Sequence, residues 1–105
     1  MHVQIINFTL TGISESDYAA LCDQLAPAFA ALPGLMSKVW LADSDNGVFG
    51  GVYVWESAAA MEAFTGSDLF AAVSGHPNLA GISSRDFGVL TGPTATTSNL
   101  HSLSA

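Results

Sequence analysis

Positive charge is almost missing from this chain. Lys38 and Arg85 are the only lysine and arginine, set against nine Asp and Glu, and the formal net charge is −7 over 105 residues. Nucleic-acid binding needs clusters of Lys and Arg at phosphates, and anionic membrane surfaces attract the same clusters, so both partners are excluded. Cysteine is present once, as Cys22, so no internal disulfide can form. Its place on the apolar face of a helix reads as a small buried thiol. No apolar run reaches the roughly 18 residues that a membrane span needs. The N-terminus shows neither a cationic stretch nor a continuous apolar one, so no secretory signal is expected and the cytoplasm is the expected compartment. His2, His76 and His101 are far apart, and no His, Asp or Glu cluster has ligand spacing, so no metal site is expected. A glycine-rich phosphate loop is missing too, because Gly50-Gly51 falls inside a strand-like run.

What is there is apolar. Hydrophobic residues make up 50% of the chain and charged residues 10%, against about 25% charged in an ordinary soluble protein. A single domain of this length has too much surface for its volume to hide that apolar area within itself. The surplus calls for a homo-oligomer interface, an apolar ligand cavity, or both. The two cations sit in strand-like runs among large apolar neighbours. Each is therefore an ion-pair partner, Asp86 being one choice for Arg85, or a lining group of a site that receives something electron-rich.

His2 to Leu10 is rich in Ile, Val and Phe and reads as a strand buried on both faces, with Val3, Ile5, Asn7 and Thr9 on one of them. Ser14 caps a helix in which Tyr18, Leu21, Cys22, Leu25, Phe29 and Leu32 recur at helical spacing. Pro27 should kink or split it. Leu35 to Ala42 is a second strand with Met36, Lys38 and Trp40 on one face. Asn46-Gly47 is a hairpin turn signal, and Val48 to Glu56 is the antiparallel partner. Gly50 and Gly51 within it point to a bulge or to close approach by another backbone or a ligand. Ser57 and Ser67 cap two short helices, over 58–65 and 68–74, and a last strand falls within 79–90. From Thr91 the composition turns to Thr, Ser, Gly, Pro and Asn.

The order strand, helix, strand, strand, helix pair, strand predicts one ferredoxin-like α+β domain over residues 1–90. It has the β-α-β-β-α-β pattern, a four-stranded antiparallel sheet and helices on one face. Residues 91–105 are expected to be a flexible tail or an arm on a partner subunit. Strands this hydrophobic cannot leave the other sheet face bare. A second copy of the sheet is the simplest cover, which predicts a face-to-face homodimer.

Pro33-Gly34-Leu35, then Lys38-Val39-Trp40, Gly50-Gly51-Val52-Tyr53 and Trp55-Glu56-Ser57 running into Ala60 and Phe64, resembles the YdhR-type monooxygenase family. The resemblance covers roughly residues 1–90 and is densest from Pro33 to Phe64. It implies a dimeric α/β barrel with a pocket in each subunit between sheet and helices. Relatives that oxidise quinol-like aromatics with molecular oxygen use no metal or flavin, so the resemblance implies no cofactor. Those relatives place an Asn four residues before the strand Trp and a Tyr on the next helix; here Trp55 is present, but Gly51 and Met61 occupy those positions. Haem-degrading relatives combine a first-strand Asn with a helix Trp and a haem-ligating His. Asn7 fits the first, while Phe64 and Ser74 stand at the other two.

If the face bearing Trp55 lines the pocket, Tyr53 and Gly51 share it. His76 is the candidate base, histidine being the side chain that exchanges protons near neutral pH. Lys38 or Arg85 would stabilise a substrate phenolate or enolate, and Tyr53 and Asn7 would hold a carbonyl. The candidate catalytic residues are thus His76, Tyr53 and Asn7. The candidate substrate-binding residues are Trp55, Trp40, Lys38, Arg85, Gly51, Met61 and Phe64. His2 and His101 are expected at the surface. The expected function is a cofactor-independent monooxygenase acting on a small aromatic or quinol-like molecule and molecular oxygen. The alternatives are a non-oxidative isomerase or cyclase on the same scaffold and a non-catalytic dimeric ligand-binding protein.

Overall fold

Nine residues of β1 (His2–Leu10) run through the middle of a four-stranded sheet whose order is β2-β3-β1-β4. The structure, a computed structural model, describes residues 1–98. After β1 come α1 (Glu15–Ala30), β2 (Leu35–Asp43), β3 (Val48–Trp55), α2 (Ala58–Thr65), α3 (Asp68–Ser74), β4 (Leu79–Gly88) and α4 (Thr91–Thr97). All strand pairs are antiparallel. The fold is the expected ferredoxin-like α+β architecture.

The local signals act as capping chemistry dictates. Ser14, Ser57 and Ser67 each accept a backbone N–H three residues on, from Asp17, Ala60 and Phe70, and start α1, α2 and α3. Asp43 holds the β2–β3 turn by accepting both the backbone N–H and the side-chain amide of Asn46. Pro27 does not split α1. It lies in the last turn: the bond to the Asp23 carbonyl is given up, but Ala31 N–H still donates to the Pro27 carbonyl and the helix runs on to Ala30.

Two glycines in β3 do different work. Gly50 has φ +145°, and a Cβ there would fall 1.8 Å from the Ile6 carbonyl oxygen, so the close backbone approach expected of this pair is to β1. Gly51 faces the helices. A Cβ there would lie 2.8 Å from Lys38 Cε.

Partners in an antiparallel ladder point the same way, so the register sorts the faces. Gln4 pairs with Tyr53, and Lys38 also pairs with Tyr53. Gln4, Ile6 and Phe8 therefore look toward the helices and are buried there with Phe49, Tyr53 and Trp55. Val3, Ile5 and Asn7 look the other way and are half-buried, so β1 is sealed on one face only in the single chain. That second face also carries Val39, Val52 and Phe87, with Val39 and Phe87 each 44% exposed.

Residues 91–97 form the short helix α4. Pro93 falls in the first turn, where its missing N–H costs nothing, and Thr96, Thr97 and Ser98 hydroxyls donate back to carbonyls of the same helix. The rest of the expected tail, with His101, lies outside the described residues. His2 is not a free surface group: its Nε2 lies 2.6 Å from Asp86 Oδ2.

Candidate functional site

Between the sheet and helices α1 and α3 lies a cavity of about 170 Å³. Lys38 and Trp40 of β2 and Tyr53 of β3 come from the sheet, Tyr18, Cys22 and Phe29 from α1, and His76 from the segment after α3. Among the described residues no aspartate or glutamate lines it.

Lys38 is the central group. Its Nζ sits 3.3 Å from the ring centroid of Trp40, 3.5 Å from that of Phe29 and 4.7 Å from that of Tyr53. Gly51 makes this possible, because the missing Cβ leaves the room that the lysine stem occupies. Two effects oppose each other at the amine. Burial pushes the pKa down to about 7, only partly countered by Cys22. The three ring faces favour the ammonium. Of the described residues, only His2 and Asp86 form an ion pair, and Lys38 takes no part in it.

Burial raises the Tyr53 phenol, so it stays protonated. Burial also raises Tyr18, whose hydrogen bond with Cys22 adds to the effect. His76 has one nitrogen committed: Nδ1 accepts the backbone N–H of Asn78 at 3.1 Å. A neutral imidazole in that arrangement carries its proton on Nε2. Nε2–H is then a donor, and a metal at Nε2 would need an imidazolate.

Four of the residues singled out from the sequence thus meet at the cavity: Lys38, Trp40, Tyr53 and His76. Gly51 lies on the same sheet face, but its space is taken by Lys38 rather than by a ligand. Trp55, Met61 and Phe64 are core residues instead. Trp55 is fully buried and stacks on Tyr53 at 5.8 Å, so it supports the cavity floor from behind. Phe64 packs on both rings at 5.3 Å. Asn7 is on the opposite sheet face because it pairs with Gly50, not Gly51, and its amide donates to the Phe49 carbonyl. Arg85 is on that face too, paired with Ile5, and its guanidinium lies 5.4 Å from the Phe87 ring centroid. It does not meet Asp86, since neighbours on a strand point to opposite faces.

Sequence reasoning missed Gln4, Tyr18 and Phe29. Gln4 is fully buried, accepts Trp55 Nε1–H at 3.1 Å and donates to Ser84 Oγ at 3.1 Å. Its place in alternation with Ile6 and Phe8 was the available signal. Among the described residues no three His, Cys, Asp or Glu are grouped as a metal site, and no helix is long and apolar enough to cross a membrane.

The family model described as "Putative mono-oxygenase ydhR" matches residues 3–99. The chain belongs to the YdhR family. Two solved structures share this family member's fold. MhuD, a heme-degrader from Mycobacterium tuberculosis with two hemes bound in its active site, is 23% identical over 86% of this chain and 96% of its own, with a TM-score of 0.68. SnoaB, a cofactor-independent oxygenase from Streptomyces nogalater, is 19% identical over 85% of this chain and 93% of its own, with a TM-score of 0.66. No functionally curated protein matches the sequence.

Proposed function

We propose that the protein is a cofactor-independent monooxygenase that oxidises a small aromatic or quinol-like compound in this cavity, working as a homodimer. The observation that supports the reading most is the cavity itself: aromatic walls around a single amine, in a chain that matches the family model described as "Putative mono-oxygenase ydhR". Its volume of about 170 Å³ falls below the roughly 300 Å³ at which pockets for drug-sized ligands begin. One or two fused rings suit it better than a porphyrin. SnoaB, which shares the fold, lends support as a cofactor-independent oxygenase.

The chemistry needs an electron-rich substrate anion. That anion gives one electron to molecular oxygen, and the resulting radical and superoxide join as a carbon-bound peroxide. The peroxide takes up a proton, and the hydroperoxide loses water to leave a carbonyl. One oxygen atom ends in the product and the other in water. Trp40 and Phe29 offer ring faces for stacking. His76 Nε2–H and the Tyr53 hydroxyl are donors suited to a substrate oxygen as negative charge develops on it. A second copy covering the Val39 and Val52 face would complete the barrel and leave the cavity on the helix side of each subunit.

An oxygen electrode with a panel of naphthols and hydroquinones, in chelator-treated buffer, tests the reading. One oxygen consumed per carbonyl formed, with label from ¹⁸O₂ in the product, is the expected result. Product formed equally well without oxygen would replace it with an isomerase or cyclase. Saturable binding with no turnover under any condition would replace it with a ligand-binding protein.

A further inference from the structure

We propose that Lys38, not His76, takes the acidic proton from the ligand and then stays beside it as counter-ion, so that the cavity selects aromatic compounds bearing an ionisable hydroxyl. This deepens the oxygenase reading and rests on it.

The titratable groups around the cavity divide by elimination. From α1, burial keeps the Tyr18 phenol protonated, and Cys22 is a free thiol, a weak acceptor at best. From β3, Tyr53 is likewise kept protonated by burial. After α3, His76 has Nδ1 engaged by Asn78 N–H and its proton on Nε2, so it can accept nothing without breaking that bond. No carboxylate of the described residues lines the cavity. Only the Lys38 amine is left with a lone pair to offer. Burial makes its free-base form accessible near neutrality, since its pKa is lowered to about 7.

The surroundings also suit the state after transfer. The ligand O–H bond breaks and an N–H bond forms at Nζ, turning a neutral amine and a neutral hydroxyl into an ammonium and an aryloxide. The cavity gains no net charge, which matters where burying a lone charge is costly. The ammonium is formed against the faces of Trp40 and Phe29, at 3.3 and 3.5 Å. The aryloxide supplies the counter-ion that no described residue provides. The slot at Gly51 shows that the lysine's inward position is built into the fold, for a Cβ there would lie 2.8 Å from Cε.

The test uses 4-nitrophenol, whose anion absorbs in the visible and whose own ionisation falls near neutral pH. The dye is titrated by absorbance while bound to the full chain and to Lys38→Met. Bound to the wild type it should ionise at least tenfold more readily than in water, a shift of about one pH unit; bound to Lys38→Met it should ionise no more readily than in water. Equal ionisation on both proteins overturns the proposal and leaves the aromatic cavity intact. Failure of the dye to bind the wild type overturns the cavity reading as well. Should Lys38→Met not fold, the wild type answers alone. Lys38 is the only lysine, so protein labelled with ¹⁵Nζ-lysine gives one side-chain signal. Adding dye near pH 7 must move that signal from amine to ammonium, and a signal that stays put overturns the proposal.

Discussion

Single atoms decide much of this protein, and glycine 51 shows it. Gly51→Ala places a methyl 2.8 Å from Lys38 Cε and 3.2 Å from Tyr53 Cε1. The lysine can swing away, so a loss of about 1 kcal/mol in denaturant unfolding is expected, together with a rise of the Lys38 pKa toward its ordinary value. The neighbouring position is less forgiving. Gly50→Ala combines φ +145° with a 1.8 Å clash against a β1 carbonyl, and a loss of about 3 kcal/mol or more is expected in the same measurement. Gln4→Leu strands the buried Trp55 Nε1–H, while the exposed Ser84 hydroxyl turns to water; about 1–3 kcal/mol should be lost. Lys38 also sets a pH dependence. Its pKa is about 7 in the folded state and 10.5 ordinarily. Between those values the unfolded chain binds more protons, so this group's contribution to stability rises with pH across the window and is lowest below it. Unfolding free energies of wild type and Lys38→Met, compared from pH 6 to pH 10 on the order-of-magnitude scale of those pKa values, should show that slope only in the wild type.

At the scale of elements, what the sequence made legible depended on how clean each alternation was. In β2 and β3, Lys38, Trp40, Gly51, Tyr53 and Trp55 fall on one phase, and the structure keeps Lys38, Trp40 and Tyr53 together at the cavity. In β1 both phases are mostly apolar: Gln4, Ile6 and Phe8 on one, Val3, Ile5 and Asn7 on the other. Periodicity alone cannot rank them, and pairing with β3 does. Asn7 and Arg85 were placed at the site for want of that register. Capping serines needed no tertiary information, because the bond each makes spans three residues. Pro27 was readable as an interruption but not as a harmless one, since that depended on where α1 ends.

For the whole molecule the dominant physical fact is the apolar sheet face left open in one chain, with Val39 and Phe87 each 44% exposed. We expect two copies to pair across it. Light scattering should give twice the chain mass for the wild type, and Val39→Asp with Val52→Asp should give a single chain, folded by circular dichroism but less stable. A wild type that runs as one chain at high concentration would remove the dimer from the reading. Arg85 and its Phe87 contact lie on this open face of the sheet, not on the cavity side.

Composition and local pattern were sufficient for the element order, the fold class and the surplus of apolar surface, because each follows from period, caps and the near absence of charge. The family was also written in short runs such as Lys38-Val39-Trp40 and Gly50-Gly51-Val52-Tyr53. Which lone pairs are free in the cavity was not. Asn78 occupies His76 Nδ1, and three rings from α1, β2 and β3 surround Lys38 Nζ. Those groups meet only when the chain is folded, and it is their meeting that moves the proton-accepting role from the histidine to the lysine.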